Sequence, residues 1–377
     1  QIHFNRIATI IVILHNLNTQ HTPIIMHIFF YLIPLTYIAC NCYLFYRIWQ
    51  SMRRFTITIK VITTLLYWFV TFSMFITLLM RGSELPEIFS KGLFCIGVSW
   101  LFFSCLAAVI LLGLDFTSRY FPAIKGNLWW ALGTTALIFA YGNYNHRHPQ
   151  AVPLDITLDK PMKGELKMAV MSDLHLGYGT GKKELKKFVE LINSHNPDII
   201  IIAGDLIDNN VKLLRKEHFE KELQQLKAPQ GVYMAPGNHE YISGIEECKD
   251  FIKSTNIKML CDSVVTLPCG VQILLRDDIA NKHRKNLKKV FKQIDKSKPI
   301  VLVDHCPIKI AKNDSAGVDL QVSGHTHHGQ VWPGSIITDI LYEQSHGYRK
   351  WCRSHIFVSS GLSLWGPPFR IGTHSDM

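Results

Sequence analysis

The chain opens with a strongly apolar part, and from about His146 apolar and polar residues alternate in shorter runs. A helix needs roughly 20 apolar residues to cross the hydrocarbon layer, so long apolar runs predict membrane spans. Four windows reach or approach this length: Ile24–Tyr46, Val61–Met80, Leu93–Leu114 and Leu128–Tyr141. The pattern predicts a transmembrane helical region over 1–145, with about four spans, and a second domain over 146–377.

The second domain has the alternation typical of an α/β fold. The predicted strands are Leu166–Met171, Ile199–Ala203, Val232–Ala235, Lys258–Cys261, Val264–Leu267, Val271–Leu275, Ile300–Val303, Asp319–Val322 and Ile356–Ser359. The predicted helices are Lys183–Asn193, His218–Leu226 and Ile245–Lys253. This order predicts packed sheets with helices on their outer faces.

Basic residues in the loops between the predicted spans favour one orientation, because such loops prefer the cytoplasm. The first and third loops are basic, whereas the second balances its charges; the basic residues of the first and third loops are Arg47, Arg53, Arg54, Lys60, Arg119 and Lys125. With four spans, the second domain is expected outside the cytoplasm. Loss of the short fourth span would reverse this expectation.

The formal net charge of +11 suits a surface that approaches anionic lipid headgroups. A basic surface of solvated lysines explains the charge equally well. Nucleic acid is not an expected partner, because the chain has a membrane tether and lacks a strand that interleaves aromatic residues with arginine.

Polar side chains that can bind metals follow five of the predicted strands. Ligand sites in α/β sheets form beyond the carboxyl ends of strands, so five such clusters predict one shared site. The clusters contain Asp173 and His175, then Asp205, then Asn238 and His239, then Asp304 and His305, and finally His325 and His327.

The kinds of side chain indicate the kind of metal site. Imidazole, carboxylate and amide groups without thiolate suit Mn, Fe, Zn or Ni, whereas a structural zinc site would use cysteine. Seven ligands exceed the needs of one ion. Two ions about 3.5 to 4 Å apart can share a carboxylate and activate water for in-line displacement at phosphorus.

Five motifs, DLHLG, GDLID, GNHE, DHCP and GHTHHGQ, occur in this order. Together they resemble the calcineurin-like metallophosphoesterase superfamily, and the preceding apolar windows resemble its membrane-anchored bacterial branch. The resemblance implies a double β-sandwich flanked by helices. It implies two divalent ions, Mn most of all and otherwise Fe, Zn or Ni, with one held by Asp173, His175 and His327, the other by Asn238, His305 and His325, and Asp205 as the bridge.

The resemblance further implies that His239, with Asp205, is catalytic, and that His239 contacts the phosphate and helps to protonate the leaving oxygen. Asn238 is expected to contact the substrate too. Arg276 follows a predicted strand and its guanidinium fits a phosphate, although a surface salt bridge also explains it. His328 either lines the substrate entrance, supports the ligands or is a solvated loop residue.

The expected function is hydrolysis of a phosphate mono- or diester of a lipid-linked substrate by metal-activated hydroxide, in a multi-pass protein of the inner (cytoplasmic) membrane with an extracytoplasmic domain. A cytoplasm-facing domain would instead suit a pyrophosphate hydrolase of the UDP-diacylglucosamine type. A third alternative is a metal-binding regulatory domain on a membrane transporter or receptor. No predicted span carries an acidic or basic residue well inside the hydrocarbon, which weighs against a transporter.

Overall fold

The computed structural model describes residues 32, 34–79, 87–121 and 127–377. Four long helices come first. They are α1 over 34–51, α2 over Ile57–Leu79, α3 over Glu87–Tyr120 and α4 over Leu128–His146.

Two helices among the described residues are long and apolar enough to cross a membrane, at Ile57–Thr77 and Gly92–Tyr120. They lie at the second and third predicted spans. The first predicted span, Ile24–Tyr46, falls partly outside the described residues. The fourth forms α4, which is not one of the two candidates. Four spans are therefore not confirmed, and that number stays a prediction.

Most of the described apolar helices belong to one compact unit, and Ile138–Met377 belong to a second. In the first unit, the fully buried Asn41 joins three helices. Its side-chain oxygen accepts hydrogen bonds of 3.0 Å from the Tyr67 hydroxyl and the Trp100 indole, and its amide donates to Ser104 Oγ at 3.1 Å. These bonds satisfy polar groups that would be costly to bury without partners.

The second unit contains two sheets. The first sheet has the order β1-β2-β3-β4 and is parallel throughout. Its strands are β1 Met168–Met171, β2 Ile199–Ala203, β3 Val232–Ala235 and β4 Ile257–Met259. Every residue of β2 and β3 is buried, as expected of strands with both faces covered.

The second sheet has the order β5-β6-β7-β8-β10-β9 and is mixed, with antiparallel pairs at both edges. Its strands are β5 Ser263–Thr266, β6 Gln272–Leu275, β7 Ile300–Val303, β8 Leu320–Ser323, β9 Gly347–Trp351 and β10 Ser354–Val358. The inner strands β6, β7, β8 and β10 run parallel.

The two sheets pack face to face. Ile201 and Tyr233 of the first sheet share an apolar core with Ile273, Val303 and Phe357 of the second. Helices cover both outer faces, which confirms the predicted α/β domain. They are α5 Lys182–Ser194, α6 Lys212–Lys216, α7 Phe219–Leu223, α8 Asn238–Ile242, α9 Ile245–Ile252, α10 Leu287–Val290, α11 Ile310–Ala316 and α12 Gly334–Leu341.

Candidate metal centre

The polar residues that follow β1, β2, β3, β7 and β8 lie together in the structure. Three of them, Asp173, His175 and His327, form what we call the first donor group. The Nε2 atoms of His175 and His327 are 3.1 Å apart. Asp173 Oδ1 lies 3.4 Å from His327 Nε2 and 3.8 Å from His175 Nε2. One carboxylate and two imidazoles therefore converge on a single point.

The second donor group comprises Asp205, Asn238, His305 and His325. Asn238 Oδ1 lies 2.9 Å from His325 Nδ1 and 3.2 Å from His305 Nε2. Asp205 Oδ2 lies 3.1 Å from His305 Nε2. Oxygen and nitrogen donors of the kinds that bind Mn, Fe or Zn thus converge here as well.

Asp205, a member of the second group, also reaches towards the first. Its Oδ2 is 3.1 Å from His305 Nε2 in the second group and 3.8 Å from His175 Nε2 in the first. Its Oδ1 accepts a 2.9 Å hydrogen bond from the backbone N–H of His239. One carboxylate therefore reaches both groups and is held in place by the loop after β3.

The loop after β8 sends its histidines to different groups because its backbone turns. His325, His327 and His328 have φ angles of 72°, 49° and 48°, in the left-handed region. Asp173 and Asp205 also have positive φ, of 54° and 53°. Such backbone costs about 1–3 kcal/mol for each non-glycine residue and is concentrated at functional sites.

Two glycines allow these loops to approach closely. A Cβ atom on Gly237 would lie 2.1 Å from Asp205 Oδ1, and one on Gly324 would lie 2.3 Å from Asp173 Oδ2. At these distances, a side chain at either glycine position would clash unless the carboxylate moved. The close approach at Gly237 and Gly324 is made to the acidic side chains.

Hydrogen bonds fix the ring orientation of His305 in a way that the sequence did not indicate. Its Nδ1 donates to the Ala203 carbonyl at 2.7 Å, which turns Nε2 towards the donor group. Asp304, the neighbouring acid in the chain, instead pairs with Arg284 at 2.5 Å. A backbone carbonyl also fixes the ring of His239, whose Nδ1 donates to the Asp208 backbone oxygen at 2.6 Å.

Three of the four imidazoles in the donor groups have the protonation state that metal binding requires. Burial lowers the pKa of His175 and His325 to about 4 and holds the pKa of His327 well below its ordinary value. They are therefore neutral at pH 7, as ligands must be. Burial opposes charge on Asp205 and His305 too, but their mutual attraction outweighs it, lowering the pKa of Asp205 and raising that of His305.

Glu240 is a positioning residue that the sequence analysis did not assign. Its buried carboxylate accepts backbone hydrogen bonds from Gly237 at 2.7 Å and from Asp205 and Ile207 at 3.0 Å each. It thereby ties the loop after β2 to the start of α8. Its place three residues after the N-cap Gly237, from where a Glu side chain can accept from the N-cap backbone N–H, was the available signal.

Asp208, with His175 and His239, forms a further cluster of possible ligands. The His239 nitrogen nearest to this cluster is Nδ1, which the Asp208 carbonyl already engages. The His239 ring packs edge-on against the His175 ring, with centroids 4.5 Å apart. This arrangement leaves Nε2 of His239 as the nitrogen that can face a substrate.

Two predicted substrate-binding residues are not members of either donor group. His328 stacks on His346, with ring centroids 4.5 Å apart, and belongs to neither donor group. Arg276 is buried, with Nε 3.2 Å from Asp262 Oδ1, so its ion pair is not the surface salt bridge that was the alternative. Its side chain lines a separate cavity.

Residues 166–329 match the family model described as calcineurin-like phosphoesterase. An uncharacterized metallophosphoesterase of Helicobacter pylori is 34% identical over 61% of this chain and 62% of its own. An uncharacterized metallophosphoesterase of Campylobacter jejuni is 28% identical over 93% of this chain and 96% of its own. A zebrafish transmembrane protein with metallophosphoesterase domain is 31% identical over 66% of this chain and 60% of its own. The chain thus spans less than two thirds of the length of the Helicobacter and zebrafish relatives.

Proposed function

Because residues 166–329 are a calcineurin-like phosphoesterase domain, as the five motifs predicted, we propose that the protein is a metal-dependent phosphoesterase that acts on a lipid-linked substrate. The observation that carries this proposal is the pair of donor groups around Asp205. The carboxylate and imidazole donor atoms of each group lie within 4.8 Å of one another. Asp173, His175 and His327 would hold one ion, Asn238, His305 and His325 the other, and Asp205 would bridge them.

Two divalent ions in these groups would supply Lewis acidity, which lowers the pKa of water and neutralises charge on phosphoryl oxygens. The protein supplies the remaining groups. His239 is placed to donate a proton to the leaving oxygen from Nε2, since Nδ1 is held by the Asp208 carbonyl. Asn238 contributes its side-chain oxygen to the second donor group and is the residue next to His239.

The proposal is tested by hydrolysis of bis(p-nitrophenyl) phosphate and p-nitrophenyl phosphate by the full chain in detergent. We expect turnover with Mn²⁺, loss of turnover in EDTA, and recovery when metal is restored. Metal analysis is expected to give two ions per chain. Two bound ions without turnover of either ester under any divalent metal would contradict the proposal and favour a metal-binding regulatory domain.

A lipid-linked substrate is supported by an exposed apolar rim next to the donor groups. We define the rim as Trp332, Trp365 and four aliphatic residues of α12, namely Ile336, Ile337, Ile340 and Leu341, all exposed by 43% or more. No residue of α12 is buried. Apolar surface of this extent on a domain that faces water marks an interaction site.

The rim is continuous with the donor groups. The Trp365 ring lies 6.3 Å from that of His239. The start of α12 packs on the turn that carries His327, where a Cβ on Gly329 would lie 2.0 Å from the Gly334 backbone. An acyl chain held on the rim would therefore leave its headgroup near the candidate metal centre.

The rim also adjoins the end of α4. Trp332 N–H donates to the Ile371 carbonyl at 2.8 Å, and the adjacent Arg370 N–H donates to the Gly142 carbonyl at 2.9 Å. Asn145 in α4 donates to the Thr373 carbonyl at 2.6 Å. These bonds connect the rim to the last helix of the apolar part of the chain, so a bilayer surface is the partner that fits it.

Replacing Ile336 and Ile340 together by serine is expected to lower turnover of a phosphoester lipid in mixed micelles roughly ten-fold relative to turnover of the soluble diester. The reason is that each buried aliphatic side chain contributes about 1.5–3 kcal/mol, part of which the rim would gain from the acyl chains. Val152→Ser with Leu154→Ser, at exposed apolar positions of the same unit, is the matched control. If the double variant left the ratio of lipid turnover to soluble-diester turnover unchanged, the support for an acyl-chain site would be lost.

We place the apolar helices in the inner (cytoplasmic) membrane and the phosphoesterase domain outside the cytoplasm. The two candidate spans and the basic loops support this placement, as does the name of the zebrafish relative. Phospholipids, polyprenyl phosphates and envelope glycolipids would then be accessible. The exposed Cys352 is expected to react with a membrane-impermeant maleimide in cells with a permeable outer membrane. Labelling only after lysis would favour the cytoplasmic alternative.

A further inference from the structure

A cavity of about 390 Å³ lies beside the segment that carries His305, and it has a strongly basic lining. Its charged lining residues are Arg276, Arg284, Lys285, Lys309, Lys312 and Asp304. Five cations thus face one acid. None of the residues of the two donor groups lines this cavity.

Arg276 gives the cavity a buried donor. The residue is 4% exposed, its Nη2 donates to the Lys285 carbonyl at 2.9 Å, and its Nε faces Asp262. Its Nη1 has no hydrogen-bond partner within the described ranges. Leaving a buried charged donor without a partner is unfavourable, so an acceptor in the cavity would stabilise this arrangement.

Arg284 and Asp304 add a second donor and one acceptor. Arg284 Nη2 lies 2.5 Å from Asp304 Oδ2, which neutralises that oxygen. Arg284 Nε and Asp304 Oδ1 both lack hydrogen-bond partners among the residues that the structure describes. The buried wall therefore offers two guanidinium donors and one carboxylate acceptor, and Lys285, Lys309 and Lys312 are exposed around it.

We propose that this cavity is an accessory binding site for inorganic phosphate, separate from the candidate metal centre. Guanidinium groups fit phosphate oxygens well, and the lysines add positive charge. Hydrogen phosphate also keeps one P–OH group, which can donate to Asp304 Oδ1. Sulfate has no such proton, and a phosphate monoester loses its own above a pKa near 6. The single acceptor therefore selects hydrogen phosphate.

Asp304 directly precedes His305, so phosphate in the cavity would brace a residue of the second donor group. Phosphate is also what a phosphomonoesterase releases. Released phosphate would then bind in this cavity, outside the metal centre, and would act on the metal centre through His305. Binding itself does not depend on the proposed hydrolysis.

The test is calorimetric titration of the metal-loaded full chain at about pH 8 with phosphate, sulfate and methyl phosphate. We expect one phosphate site that persists in Asp205→Ala and is weakened at least about ten-fold in Lys309→Gln with Lys312→Gln. Sulfate and methyl phosphate should bind this site at least about ten-fold more weakly than phosphate, and Asp304→Asn should narrow that difference. Lys186→Gln with Lys187→Gln, in the exposed part of α5, is the matched control.

Two results would overturn the proposal. One is phosphate binding that disappears in Asp205→Ala, because the ligand would then lie only at the metal centre. The other is equal binding of the three anions with no effect of the lysine pair, since this would indicate general attraction to a basic surface. Because Arg276 is buried and its replacement risks misfolding, the exposed lysines carry the test. A failure of the hydrolase proposal would appear as absent turnover and would leave the lysine-dependent site intact.

Discussion

Asp205→Ala is expected to abolish phosphoesterase turnover and to lower the metal content from two ions per chain to one or none. Asp205 reaches His305 at 3.1 Å and His175 at 3.8 Å, so its carboxylate contacts both donor groups. A catalytic metal supplies several kcal/mol of charge stabilisation, which corresponds to a loss on the order of 10³-fold or more. Metal analysis and turnover of the chromogenic diester measure the two effects.

The matched control is Asp250→Ala, because Asp250 is an exposed acid on α9. This variant should keep both ions and full turnover. Circular dichroism should show that Asp205→Ala retains its secondary structure, with a lower melting temperature because the bond to the His239 N–H is lost. Two retained ions with normal turnover would exclude Asp205 as the bridge and would require a different arrangement of the metal centre.

The positions of the donor residues were predictable because they depend on where buried strands end. β2, β3 and β7 begin and end at the residues that the apolar runs indicated. In parallel strands that are buried on both faces, the first polar residue after the apolar run lies at the carboxyl end of the strand, where ligand sites form. The sequence therefore indicated which residues gather, since it contains both the apolar run and the donor that follows it.

The directions of the side chains were not predictable in the same way. His325 and His327 reach different donor groups because both have left-handed backbone, which neighbouring residues alone do not dictate. Arg276 follows a strand, as a phosphate-binding residue could, but Asp262 and the Lys285 carbonyl hold it beside another cavity. These orientations depend on residues distant in sequence.

Among the elements that were missed near the second sheet, α12 and β9 were missed for a simpler reason. α12 exposes its aliphatic residues, so its apolar pattern does not mark a core-facing helix. β9 is an edge strand with exposed Tyr348, Arg349 and Lys350, and its residues lack the apolar alternation that predicts a strand. Exposed helices and strands are therefore hard to predict from the pattern of apolar residues, even where they adjoin a functional site.

His239→Gln is expected to keep both metal ions and to lower turnover by about 10² to 10⁴-fold, the range typical of a lost general acid. The loss should be larger for an alkyl ester than for a p-nitrophenyl ester, because p-nitrophenolate leaves without a proton whereas an alkoxide does not. His239 Nδ1 is held by the Asp208 carbonyl and Nε2 belongs to neither donor group, so the metal content should not change.

His218→Gln is the matched control, since His218 is exposed and its side chain pairs with Glu220. It should leave turnover of both esters unchanged. Loss of an ion from His239→Gln would instead place His239 with His175 and Asp208 as a ligand cluster. Equal losses for the two esters, with both ions retained, would mean that His239 positions the phosphate without protonating the leaving group. The leaving-group comparison therefore separates proton donation from positioning, while the metal analysis separates both from ligation.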